Sequence, residues 1–199
     1  MSGDVSRKAV IERNTLETKI KVELDIDGSG EYKIDTGIGF FDHMITMIAK
    51  HGNVDLNVSA EGDLDVDFHH TVEDVGIVIG QCIKKALGDK SGIKRYGTFF
   101  VPMDESLEMA SIDLIGRPYL VFEGELRSPK VGDMDTELVE EFFRALAFNS
   151  DMTLHVKSLY GKNTHHVIEG MFKAFSHAFR EAYTKDSEIK GVLSTKGVI

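Results

Sequence analysis

A chain of 199 residues with 42% hydrophobic and 28% charged positions falls in the ordinary globular range, which excludes collagen-like, disordered and coiled-coil architectures and leaves one compact unit or two small ones. Lys and Arg total 23 against 33 Asp and Glu, a formal charge of −10 that repels phosphate backbones and anionic lipid, so nucleic acid and membrane surfaces are poor partners. The single Cys82 cannot close an intrachain disulfide, no apolar leader follows Met1, and no stretch approaches 18 apolar residues, a combination that fits a soluble protein of the cytoplasm.

In chain order, an alternating segment from Ala9 to Ile26 leads through the turn Asp27-Gly28-Ser29-Gly30 into a return strand, Glu31 to Asp35, which is the pattern of a hairpin. From Phe40 an amphipathic helix runs into a short strand, Val54 to Val58, and a loop then delivers the motif HHxxE, His69 to Glu73, at the start of a second helix. The second half repeats this order. Tyr96 to Val101, Leu107 to Leu114 and Tyr119 to Leu126 read as antiparallel strands broken at Gly116-Arg117-Pro118. From Val139 a helix leads into the strand Met152 to Val156, and a loop delivers a second HHxxE, His165 to Glu169. His69 and His165 lie 96 positions apart and Leu56 and Leu154 lie 98 apart, so a gap of two residues aligns the copies.

The expected architecture is therefore α+β: a tandem duplication of a ββαβα unit, residues 1–92 and 93–199, forming one compact structure with helices on one face of each sheet. The uncovered sheet faces call for burial by another subunit. Phe142 to Phe148 and Phe172 to Phe179 read as core.

The chemistry concentrates in the repeated HHxxE. On a helix His69 and Glu73 stand at i and i+4 and share a face, as do His165 and Glu169, while His70 and His166 point roughly 100° away. An imidazole beside a carboxylate suits Mn, Fe or Zn, and a second imidazole facing elsewhere suits a second metal shared between the copies. Symmetry then suggests one metal on His69, Glu73 and His166, and another on His165, Glu169 and His70. A fourth ligand is sought in the preceding helices, where His43 and Glu141 occupy matching places. A single HxxxE is nearly worthless as a signal, but a shuffled chain of this composition contains HHxxE only roughly 0.03 times. Two copies in register point to function, since core positions do not favour paired imidazoles beside a carboxylate.

The segments FFDHM, AKHG, HHTVED, MDES, GRPYL, LHV, HHVIE with FKAF, and the terminal STKG together resemble the imidazoleglycerol-phosphate dehydratase family, over essentially the whole chain from Arg7 onward. The resemblance implies a 24-subunit shell built from trimers, with two Mn ions per active site at subunit boundaries. It assigns metal binding to His43, His69, His70, Glu73, His165, His166 and Glu169. Glu141 departs from the family pattern by placing an oxygen donor where most members carry His, and Phe68 and Met47 replace an acidic residue and a Gln. Arg95, Arg117 and Lys196 match phosphate-binding positions, with Ser194 and Thr195 adding hydroxyls beside Lys196. Glu17 in RNTLET matches a substrate-contacting glutamate, and it joins Glu73 and Glu169 as a candidate catalytic carboxylate.

The implied reaction removes water from imidazole glycerol phosphate to give imidazole acetol phosphate in histidine biosynthesis. Two metals flanking the ring favour the imidazolate, which expels the adjacent hydroxyl to a diazafulvene-like species; a base, assigned to Glu17, then takes the carbon-bound proton and the enol becomes the ketone. A binuclear phosphoesterase would use similar ligands but release inorganic phosphate, and a metal-storage protein would need no cationic anchor. Asp104 and Glu105 remain open between orienting a ligand and forming a solvated turn. His51, His155 and His177 fall outside the ligand frame, and His155, matching Asn57, takes a supporting role.

Overall fold

The computed structural model describes residues 6–197. The first copy comprises β1 (Lys8–Asn14), β2 (Thr18–Asp25), β3 (Tyr32–Asp35), α1 (Gly39–Gly52), β4 (Asp55–Gly62) and α2 (His69–Leu87). The second comprises β5 (Tyr96–Met103), β6 (Ser106–Asp113), β7 (Tyr119–Glu123), a short pair β8 (Lys130–Val131) and β9 (Met134–Asp135), α3 (Leu138–Asn149), β10 (Thr153–Tyr160) and α4 (Thr164–Tyr183). Two four-stranded sheets result, ordered β1-β2-β4-β3 and β5-β6-β10-β7, so the duplication is complete at the level of topology. No helix among the described residues is long and apolar enough to cross a membrane.

The expected hairpin between Ala9–Ile26 and Glu31–Asp35 does not form. The reversal falls inside the alternating segment, where the Thr15 hydroxyl accepts the Glu17 and Thr18 amides at 3.1 and 2.9 Å and folds β1 antiparallel onto β2. The Asp27–Gly30 turn instead wraps around Asp55, whose Oδ1 accepts the amides of Ser29, Gly30 and Glu31, and this carries β3 to the far edge, parallel to β4. In the same way β7 runs parallel to β10 rather than antiparallel to β6. Alternation fixes which face a side chain takes but does not say where a strand pairs.

Inward positions of the strands, Ile20, Val22 and Leu24 on β2 or Leu154 and Val156 on β10, meet the apolar stripes of the helices in one continuous core. Helices pack across the duplication, α1 against α4 and α2 against α3, so the helical layers face each other and the sheets lie outside. The Phe cluster falls in this seam: Phe142, Phe143, Phe172, Phe175 and Phe179 are fully buried, whereas Phe148 is half exposed. Backbone detail is duplicated too. Each first helix ends on a left-handed residue, Asn53 (φ 55°) or Asp151 (φ 54°), after which the next amide returns to a helical carbonyl.

The outer faces differ. That of the first sheet carries Lys19, Lys21, Glu23, Asn57, Ser59 and Glu61; that of the second is mixed, with Phe100, Leu107, Met109, Val121 and Leu159 beside Thr98, Ser111, the exposed His155 and the Lys157–Glu123 ion pair.

Candidate active site

Each HHxxE opens its helix under a side-chain cap. Asp67 Oδ1 accepts the His69 amide at 2.7 Å and Asn163 Oδ1 accepts the His165 amide at 3.0 Å, two residues ahead in both copies. The i, i+4 pairs meet as expected: His69 Nε2 lies 4.0 Å from Glu73 and His165 Nε2 3.1 Å from Glu169. Their neighbours diverge, with nearly perpendicular rings 6.2 Å apart for His69 and His70 and 6.3 Å for His165 and His166.

His43, from α1 of the first copy, reaches the second copy's pair. Its Nε2 is 3.3 Å from Glu169 Oε2, and the ligand atoms of His43, His165 and Glu169 all lie within 4.8 Å of one another. Within one chain it is thus His43, not His70, that completes this cluster. Two imidazole nitrogens and a carboxylate oxygen form a donor set suited to Mn, Fe or Zn. Glu169 is buried, which alone would push its carboxyl up, but Lys173 Nζ at 2.7 Å together with His165 and His43 holds it below the ordinary range and therefore ionised. Lys173 stands at i+4 from Glu169, a helical spacing legible in the sequence but not used there.

Glu141 takes the place of His43 in the second copy: the matched helix ends set the register at 98 residues. Its carboxylate lies 3.5 Å from Arg144, on the helix that packs against the one bearing His69 and Glu73. His70 and His166 point away from both pairs. Asp63 Oδ2 is 3.0 Å from His70 Nδ1, with Glu17 at 3.9 Å, and Glu105 Oε2 is 2.8 Å from His166 Nδ1. These carboxylates raise both imidazoles, and His166 with the amides of Asn163 and Lys162 pulls Glu105 down to about 2. Glu105 is therefore an exposed turn residue anchored by three hydrogen bonds.

Behind this cluster each copy buries a further carboxylate, from non-equivalent elements. Asp74 on α2 takes Arg13 Nε at 2.9 Å and the Thr18 hydroxyl. The second copy has Gly170 at that helix position and supplies Glu108 from β6 instead, fully buried, with only the Ser106 and Ser158 hydroxyls at 3.2 and 3.4 Å. Without a cation, burial pushes Glu108 up to about 7. A Cβ at position 170 would overlap the Glu108 carboxylate.

The cationic residues gather elsewhere. Arg95, Arg117, Lys190 and Lys196 line a cavity of about 910 Å³ with Ser194 and Thr195, opposed by Glu188. Lys190 was not evident from sequence. Arg95 is buried and already bidentate on Asp113 at 2.7 and 3.0 Å, donates to the Leu193 carbonyl at 2.6 Å, and stacks over Tyr96. It holds the terminal segment in place and has only part of its donor set left for an anion. Its backbone amide bonds to Ala182 at the far end of α4, 17 residues from His165, so the two clusters lie roughly 25 Å apart along one helix.

A profile of the imidazoleglycerol-phosphate dehydratase family matches residues 36–179. The chain belongs to this family. It is 69% identical over 197 residues to an imidazoleglycerol-phosphate dehydratase of Clostridium kluyveri, covering 99% of this chain and 98% of the relative. It is 63% identical over 193 residues to that of Streptococcus mutans, covering 97% and 100%. The crystal structure of the Staphylococcus aureus dehydratase superposes with a TM-score of 0.83 at 43% identity, over 90% of this chain and 99% of that one. The Pyrococcus furiosus structure gives 0.82 at 32%, over 95% and 100%. The activity is that of a dehydratase, a carbon–oxygen lyase of histidine biosynthesis, which decides against the phosphoesterase and metal-storage readings. Met47 and Phe68, two of the three positions at which the resemblance implies a departure, are both part-buried against the core.

Proposed function

We propose that this dehydratase acts through composite sites completed between copies of the chain, each using two Mn ions. The observation that carries the reading is the distance: ring-binding and anion-binding residues stand roughly 25 Å apart on α4, too far for one small phosphorylated imidazole to touch both. One ion would sit on His43, His165 and Glu169 with His70 of the partner subunit, the other on His69, Glu73 and Glu141 with His166 of the partner subunit. When bound, such ions favour the deprotonated imidazole ring and neutralise charge on the departing oxygen.

The chain's own groups supply the rest. Arg117, Lys196 and the free edge of Arg95 hold the phosphate, with Ser194 and Thr195 adding hydroxyls, which fixes the glycerol chain relative to the ring. Glu17, exposed at the β1–β2 turn beside His70, takes the carbon-bound proton, the hydroxyl departs as hydroxide and that proton completes the water eliminated, and the resulting enol tautomerises to the ketone. Glu73 and Glu169 serve as ligands, Glu169 held ionised by Lys173. The apolar patch of Phe100, Leu107, Met109 and Val121 on the outer face of the second sheet supports burial between copies, in keeping with the 24-subunit shell of trimers that the resemblance implies, and the buried free Cys82 accords with a cytoplasmic location.

Subunit complementation tests this. A chain carrying Arg117→Ala and Lys196→Ala and a chain carrying His165→Ala are each expected to be nearly inactive. Co-assembled at random, they should regain activity at about a quarter of the sites, where two intact halves meet. Recovery of none, while the assembly forms, overturns the composite site; loss of activity on chelation and return with Mn checks the metal.

A further inference from the structure

The second imidazole of each HHxxE is tied through the same atom. His70 Nδ1 meets Asp63 at 3.0 and 3.3 Å, and His166 Nδ1 meets Glu105 at 2.8 Å. A neutral imidazole that donates its Nδ1 proton to a carboxylate keeps the Nε2 lone pair outward, and only that tautomer can ligate through Nε2. The first histidine of each pair carries no such tie and turns Nε2 to its i+4 glutamate instead.

The two ties were not inherited from one ancestral residue. In the strand registers Leu24 pairs with Leu56 and Ile112 with Leu154, which places Glu105 in the position of Glu17, at the tip of the first hairpin. Beyond the bulge at Ser158–Tyr160 the second copy gains one residue, so Gly62 matches Gly161 and Lys162 stands in the position of Asp63. One bond has thus been built twice from non-equivalent elements, a strand end in the first copy and a hairpin turn in the second. Duplication of a sequence does not produce that pattern; a shared requirement on the imidazole does. We infer that Asp63 and Glu105 are positioning residues that fix Nε2 of His70 and of His166 as the metal-facing nitrogen, and that anchoring by Asp63 leaves Glu17 for the substrate. Side-chain exposure accords with this division: Glu17 is 57% exposed and 3.9 Å from His70, whereas Asp63 is 24% exposed. Glu105 also seats the loop ahead of α4, since its Oε1 accepts the Lys162 and Asn163 amides at 3.0 and 2.6 Å.

The inference rests on the metal reading above, and the test separates the two. Glu105→Gln keeps an oxygen for the Lys162 and Asn163 amides, and both it and Asp63→Asn can offer Nδ1 an N–H, which moves the imidazole proton to Nε2 and blocks it. Metal-stripped intact assemblies are titrated with Mn, following free ion by electron paramagnetic resonance, and their melting is measured without metal. Wild type should bind two Mn per chain. Each variant should hold one as before and weaken the other about 10- to 100-fold, at an unchanged metal-free melting temperature, and Asp63→Glu should recover most of the loss. Two undisturbed sites in both variants, or equal weakening of both sites with a lowered melting temperature, overturns the inference. Failure of the wild type to bind Mn overturns the metal reading itself.

Discussion

Replacing Glu108 by Gln should stabilise the protein at pH 8 and leave it unchanged near pH 4. The carboxyl is wholly buried, meets only two hydroxyls, and is pushed up to about 7 from an ordinary 4.5. Because the folded state holds this proton more tightly than the unfolded chain, its contribution favours folding below 4.5 and is lost as pH rises through about 7. That interval is worth about 3 kcal/mol at most, or a rise of several degrees in melting temperature for a chain of this size. Gln removes the ionisation, and because Ser106 and Ser158 can each donate or accept, its amide finds partners in the same pocket. Denaturant unfolding of metal-free wild type and variant, measured in parallel from pH 4 to 8, cancels every other titration in the difference. Parallel curves across that range, or a variant weaker than wild type at pH 8, would refute the argument that Glu108 pays for burial without a cation.

Other expectations follow from the same contacts. Arg95→Lys loses the bidentate bond to Asp113 and the tie to Leu193, so KM should rise at least about tenfold with a smaller change in kcat, and proteolysis after residue 186 should quicken. His43→Ala removes one of three converging donors and should lower bound Mn from two towards one per chain by elemental analysis. Gly97→Ala sets a Cβ against the Ala178 carbonyl oxygen of α4 and should cost more than about 2 kcal/mol in unfolding experiments. Met109→Asp in the apolar patch of the second sheet's outer face should shrink the particle by size-exclusion chromatography, whereas Lys21→Asp on the charged face of the first sheet should not.

Helix positions and the i, i+4 geometry of both motifs were legible because a 3.6-residue period and a duplicated frame act locally. Strand pairing was less so: nothing in the alternation of Ala9–Ile26 marks the reversal at Thr15, and the carboxylate of Asp55 that captures the Asp27–Gly30 turn lies a helix away in sequence. The site divided along the same line. His165 with Glu169 could be read from spacing, while the contact of His43 with Glu169 depends on α1 packing beside α4. A second contact in that seam, His51 with His177 at 3.2 Å, repeats the separation of 126 residues and shows the helices to run parallel. Arg95 was expected to bind phosphate and lines the cavity with the other cations, but its engagement by Asp113 depends on pairing across the sheet and left no trace in spacing.

If the first turn of α4 holds the azole and the residues near its last turn hold the anion, as proposed, one small molecule cannot be served from both ends, and a solitary chain would have two half-sites and no whole one. Turnover should then fade on dilution below the assembly threshold with every side chain intact, and a compound wedged between subunits would silence the enzyme without resembling anything it dehydrates.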